Sequence, residues 1–162
     1  MNMLLLKIYE GVDYMCNNDC KCIAEILSVI CILQRNADQK DGACLDTCDK
    51  GFLGGSTTCI GCNTRPVMLY TCCGNGIPWE MPTTKTDTVC GTPGVSCPDI
   101  CSNVFRVEKI DGCCCTFRVL AKNDDSIESC KCPYVATNSF FTMNLSCCCA
   151  IRCLKDTFVE CL

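Results

Sequence analysis

Apolar residues recur at spacings of three and four along the early part of the chain. Ile23, Ile26, Leu27, Ile30 and Leu33 form one stripe, the period of an amphipathic helix. The stripe predicts a helix over 16–36, with Asn18 and Asp19 as N-caps and the polar run NADQKDG (36–42) as its stop. Cys16, Cys20, Cys22 and Cys31 ride on or near it. The period then disappears. Between 43 and 64, Cys44, Cys48, Cys59 and Cys62 alternate with Gly51, Gly54, Gly55 and Gly61, which reads as loop tied down by cross-links. Pro66 precedes a strand from Val67 to Cys73, and Gly74-Asn75-Gly76 is a turn signal. From Pro78 to Pro98 the Pro, Thr and Gly content predicts a long connection, with room for one short strand.

Period-two patterning dominates the second half. The segment VFRVEKIDGCCCTFRVL (104–120) predicts a hairpin, with Asp111-Gly112 as its turn. A strict two-residue loop there sets Phe105 opposite Arg118 and Val107 opposite Thr116. A one-residue shift sets Phe105 by Val119 and Val107 by Phe117, and gathers Arg106, Glu108, Thr116 and Arg118 on the outer face. The shifted register, with a bulge or a longer loop, is the expected one, because a slip of one residue exchanges the two faces. The last strand is expected to run unbroken from Phe141 to Cys153. Phe141, Met143, Leu145, Cys147, Cys149, Ile151 and Cys153 would then share one face. The two cysteine triples, 113–115 and 147–149, would each point their outer members inward and their middle members, Cys114 and Cys148, outward. The other reading of Cys114 and Cys148 is that they meet an interior second sheet.

These elements predict a mainly β fold: an antiparallel, β-sandwich-like and disulfide-rich domain preceded by one N-terminal helix. The expected segments are a leader at 1–15, a helical segment at 16–40 and a β domain with long cysteine-rich loops at 41–162. Residues 1–15 are either a flexible leader or lie upstream of a true start at Met15. Their short apolar run, Met3 to Leu6, is soon followed by Glu10 and Asp13, unlike a secretory signal. No run approaches the length of a membrane helix.

Composition sharpens the problem. The chain carries 23 cysteines in 162 residues, above the roughly 8–10% that marks a disulfide scaffold. Such density belongs to small secreted modules, yet this chain is longer and has no signal-peptide pattern. Thiols made in a cytosol and oxidised later fit both facts. Neighbouring cysteines do not suit one another, since Cα atoms about 3.8 Å apart fall below the usual disulfide span. Each member of a triple must therefore look elsewhere. The net charge of −4 and the lack of a basic patch argue against nucleic acid as a partner.

Histidine is absent, which removes His-dependent nucleophilic and metal sites. Cys59-Ile60-Gly61-Cys62 is a CxxC, but it sits in a Gly/Thr-rich loop and not at a helix N-terminus, so it reads as a structural pair and not as a thiol-disulfide enzyme. A thiolate metal cluster is the rival to a cross-linking role. Cys16-x3-Cys20-x-Cys22, Cys44-x3-Cys48, Cys97-x3-Cys101 and Cys149-x3-Cys153 bring thiols close. A zinc site, however, usually wants two CxxC pairs. No catalytic residue, metal site or cofactor is expected. Asn144-Leu145-Ser146 is a formal glycosylation triplet that reads as strand.

At four of these pieces the chain resembles a known family. NTRPVMLYT (63–71), FRVEKIDGCC (105–114), TFRVL (116–120) and MNLSCCCAIRCL (143–154) are similar to the cysteine-rich outer-coat and exosporium proteins of bacterial spores, the CotY, CotZ and ExsY family. CKCIAEIL (20–27) and GFLG (51–54) fall in matching order, so the resemblance covers roughly 16–156. It implies a structural protein, synthesised in the mother-cell cytoplasm, that self-assembles around the forespore. Subunits, expected as hexamers, would build a hexagonal sheet hardened by disulfides between copies and joined to other coat or exosporium proteins. The cross-linking candidates are Cys16, Cys20, Cys22, Cys44, Cys48, Cys59, Cys62, Cys113, Cys114, Cys115, Cys147, Cys148, Cys149 and Cys153. Cys114 and Cys148 lead as the middle members of strand triples, followed by the helix cysteines.

Overall fold

A computed structural model describes residues 19–38, 62–86, 90, 100–123, 132–159 and 162. The leader and the candidates Cys16, Cys44, Cys48 and Cys59 lie outside the described residues. The fold is mainly β with one helix N-terminal to an antiparallel sheet. Helix α1 spans Lys21–Asp38, and among the described residues seven strands follow: β1 Val67–Thr71, β2 Met81–Pro82, β3 Cys101–Ser102, β4 Phe105–Asp111, β5 Cys114–Lys122, β6 Tyr134–Asn144 and β7 Cys148–Cys153. Five of them form one sheet in the order β6-β5-β4-β1-β7, and β2 pairs with β3 in a separate ribbon. All pairs are antiparallel.

Asp19 starts α1, its carboxylate accepting from the Lys21 N–H at 3.1 Å, as an N-cap does. The buried stripe is Leu27, Ile30, Cys31 and Gln34. It is rotated from the expected one: Ile26 is 43% exposed, alongside Val29 and Ile32. The reason lies in the sheet beneath. Leu27, Ile30 and Cys31 pack on Val67, Leu69, Phe105, Val107, Phe117 and their neighbours, and Gln34 is drawn in by backbone groups that need partners.

Those groups belong to a bulge. Phe105 pairs with Val119 and Val107 with Phe117, the shifted register, and the ladder slips between Val107 and Lys109. The bulge turns carbonyls of β4 toward the helix. Gln34 donates its Nε2–H to the Val107 carbonyl at 2.8 Å and accepts the Arg65 N–H at 3.1 Å. The Glu108 carbonyl accepts from the Cys31 thiol and the Arg35 guanidinium. A buried amide placed this way satisfies groups that would otherwise be costly. The hairpin loop itself is Gly112-Cys113, one residue later than expected, because Asp111 pairs with Cys114. Gly112 takes φ +57, a conformation that favours glycine.

On the core face Phe105, Phe117 and Phe141 stack in mutual contact, with centroids 4.9–6.3 Å apart. On the other face Arg106, Glu108, Thr116 and Arg118 gather as expected. Glu108 accepts from Arg106 Nη1 at 3.1 Å and from Arg118 Nε at 2.7 Å, and Thr116 bonds Thr142. The C-terminal segment returns beside β1. Thr64 and Thr157 exchange backbone hydrogen bonds, and Arg65 grips Asp156 with two contacts of 2.7 Å, the bidentate geometry suited to guanidinium and carboxylate.

The last strand is not continuous. Residues 141–144 end β6, which begins earlier, at Tyr134, and Leu145–Cys147 form one 3-10 turn before β7. Asn144 caps that turn by accepting the Ser146 N–H. β6 and β7 therefore occupy opposite edges of the sheet, and the alternation expected across 141–153 is reset between them.

Candidate functional site

The distinctive side chains of this sequence are its 23 cysteines. The fold sorts those among the described residues into three environments. The first is covalent. Cys20 bonds Cys113 and Cys90 bonds Cys101. Cys20–Cys113 fixes the start of α1 to the tip of the β4–β5 hairpin, 93 residues away. One member of that hairpin triple departs from the expectation of inward outer members: Cys113 sits in the turn and is bonded to the start of the helix, while Cys115 points into the core as expected.

The second environment is the core. Cys31, Cys115 and Cys148 are buried among the apolar side chains between helix and sheet. Burial pushes the Cys115 thiol up to about 12 from its ordinary 9.0, and the neighbouring thiols of Cys31 and Cys148 push the same way. Burial also raises Cys148, which donates to the Ala150 carbonyl at 3.3 Å. A thiol held protonated is a poor nucleophile for disulfide exchange. The expectation that Cys148 faces outward is therefore corrected: it is 1% exposed. The cause is the 3-10 turn together with a bulge between Tyr70 and Thr71, where Thr71 pairs with Cys148 and Tyr70 with Ala150. Cys149 is left as the extra residue, exposed, with its thiol on the Tyr70 carbonyl at 3.4 Å.

The third environment is the surface. Cys22, Cys73, Cys114, Cys149 and Cys153 are exposed thiols with no disulfide partner among the described residues. Cys114 is thus on the outside, as its place in the triple predicts. Cys149 and Cys153 lie on β7 at the sheet edge. Cys147 is half-buried and meets Cys72 through a backbone bond of 3.1 Å. With Cys73, Trp79, Met81 and Phe141 these two line an apolar cavity of about 430 Å³. Cys62, the described half of the CxxC, is half-buried; burial and then the nearby Asp156 raise its thiol. Among the described residues no group of three or more Cys, Asp or Glu side chains is arranged to hold a metal ion.

Cysteines absent from the expected set also matter. Cys31 and Cys72 take part in the core and the cavity rim, and Cys90 and Cys101 form a disulfide. Cys72-Cys73 was legible as a pair ending a strand. Nothing in the spacing marked Cys90 for Cys101.

The described residues thus form a helix over a five-stranded antiparallel sheet, with a pinned hairpin tip and five exposed thiols. The family model for Spore coat protein Z matches residues 14–156. The chain belongs to the spore coat protein Z family. Comparison with curated proteins and with solved structures gave no match. Family membership supports a structural role in the spore coat and a place at the spore surface. The matched span begins before α1 and ends at Asp156, the residue that clamps Arg65, so every strand among the described residues of this coat protein lies inside it. Among the described residues no helix is long and apolar enough to cross a membrane.

Proposed function

We propose that this coat protein is a non-enzymatic, self-assembling subunit of the spore outer coat or exosporium. Copies associate, as hexamers in a hexagonal two-dimensional lattice, and disulfides between them harden the layer. The chain is made in the mother-cell cytoplasm, and it meets other coat or exosporium proteins at the spore surface. One observation carries this reading: among the described residues five thiols are exposed and unpaired while three others are buried. A chain that used its cysteines only to hold itself together would not distribute them this way. Surface thiols that meet copies of themselves convert a reversible contact into a covalent one, which limits the rate of escape.

The test is negative-stain electron microscopy of the protein expressed alone, with and without strong reductant and heat. Ordered sheets that survive detergent and dissolve on reduction are the expected result. Soluble monomers in both conditions overturn the reading. Several tightly held metal ions per purified chain would replace it with a thiolate metal-binding role.

A further inference from the structure

Strand β7 closes one side of the sheet, and its outer edge carries no strand among the described residues. Its backbone is set for a neighbour. The Leu154 N–H donates to the Pro66 carbonyl at 2.8 Å, and the same register pairs Arg152 with Met68 and Ala150 with Tyr70. Antiparallel pairs alternate between bonded and non-bonded. Leu154, Arg152 and Ala150 therefore aim their backbone groups at β1, and Ile151 and Cys153 aim theirs outward. Natural edges are usually guarded by Lys, Pro or inward charges. The run Cys149-Ala150-Ile151-Arg152-Cys153 has no Lys and no Pro.

We infer that β7 is a self-complementary edge: two copies pair their β7 strands antiparallel about a two-fold axis at Ile151, and each Cys149 bonds Cys153 of the second copy. The inference rests on the lattice-subunit reading and supplies one of its contacts. A two-fold axis makes an edge meet itself antiparallel. With the axis at Ile151, residues whose numbers are equidistant from 151 oppose one another, so both exposed thiols face thiols. Opposed residues have Cα atoms about 4.5–5.5 Å apart, inside the disulfide span of about 4.4–6.8 Å. Arg152 then opposes Ala150, which keeps the two guanidiniums off each other.

Other axes do worse. An axis at Ala150 sets Cys149 against Ile151, and Cys153 against Cys147, which is half-buried in the 3-10 turn and off the strand. One at Arg152 opposes like charges directly. Axes at Cys149 or Cys153 give one self-pair and set the remaining thiol against Leu145 or Thr157. Each bond forms as two thiols give up two protons and two electrons to a small-molecule disulfide, which leaves as two thiols. Cys149 surrenders its contact with the Tyr70 carbonyl in the process.

The sequence provides the assay. Trypsin cuts after Arg152, between the two cysteines, and releases Cys153 in the tripeptide Cys153-Leu154-Lys155. Reduced full-length chains, isotopically light and heavy, are mixed, oxidised with glutathione disulfide and digested without reduction. The expected product is that tripeptide bonded to the Cys149 peptide, with about half of it carrying one light and one heavy partner, as random two-fold pairing requires. Cys149→Ser chains alone and Cys153→Ser chains alone lose this product, and a mixture of the two regains it. Three results overturn the inference: the linkage found only within single isotopes, Cys149–Cys149 or Cys153–Cys153 bonds in its place, or no linkage. Sheets that form without it remove this contact and leave the lattice reading intact. The linkage formed in dimers that never grow into sheets keeps the contact and removes the lattice.

Discussion

Replacing Cys20 and Cys113 together by serine should destabilise the subunit more than any other pair of conservative changes at its thiols. The bond between them closes a loop of 93 residues. Cross-linking a chain removes entropy from its unfolded state in proportion to the logarithm of the loop. For a loop of this length the chain-entropy relation gives about 4.6 kcal/mol at 25 °C, and measured native bonds typically fall at about 2–4 kcal/mol. The bond also holds α1 against the sheet, over the core formed by Leu27, Ile30 and Phe105. The assay is urea unfolding followed through Trp79, the single tryptophan of the chain, which sits at the cavity rim. Parent and Cys20→Ser/Cys113→Ser proteins are first alkylated under native conditions, so that surface thiols cannot join chains. Reduction alone is a poorer experiment, because it also opens Cys90–Cys101. With a urea slope of about 2 kcal/mol/M, a loss of about 3–4 kcal/mol lowers the midpoint by roughly 1.5–2 M. A loss below about 1 kcal/mol would refute the reasoning, since the loop would then already be closed by other contacts in the unfolded chain.

Two further outcomes follow from the polar face and the core. Glu108→Gln removes the charge that serves both Arg106 and Arg118; Arg106 is 4% exposed, so the change should cost about 2–3 kcal/mol in the same urea assay, and a value near zero would show that the two arginines do not depend on it. The Cys115 thiol, raised to about 12 from 9.0, contributes stability that is complete below pH 9 and is lost as the pH climbs toward 12, because the unfolded chain ionises first. Comparing Cys115→Ala with the parent across that window should show the stability difference between them shrinking with rising pH; a constant difference would mean that the thiol is not shielded.

Much of the fold was legible in local pattern. The helix announced itself by period, and the shifted hairpin register followed from asking which alignment keeps Phe105, Val107, Phe117 and Val119 together, the arrangement that the sheet adopts. What period could not reveal was the rotation of α1. Ile26 and Gln34 are apolar and polar, yet Ile26 is exposed and Gln34 is buried. The deciding factor is a pair of bulge carbonyls on β4, far away in sequence, that need a donor. The break after Asn144 was equally hidden. MNLSCCCAIRC alternates well enough to read as one strand, and the only local sign of a turn is Asn144, a residue that caps the 3-10 turn through its side chain. Strand parity therefore predicted the facing of Cys114 correctly and that of Cys148 wrongly, for a reason that lies in one turn and one bulge.

The two triples show how adjacent thiols acquire different fates without any chemical difference between them. In the hairpin, the turn residue Cys113 is bonded to the helix, Cys114 emerges on the surface and Cys115 is sealed in the core. After β6, Cys147 lines the cavity, Cys148 is sealed and Cys149 emerges at the sheet edge. Exchange requires a thiolate that an oxidant can reach, so folding itself assigns the order of oxidation. A reduced chain that folds first withdraws Cys31, Cys115 and Cys148 from the chemistry before any neighbour is met. The exposed set stays available after folding. For the assembly proposed above, this ordering matters more than the number of cysteines: random pairing among so many thiols would trap misfolded chains, whereas a chain that folds first leaves only the thiols at its surface to choose partners.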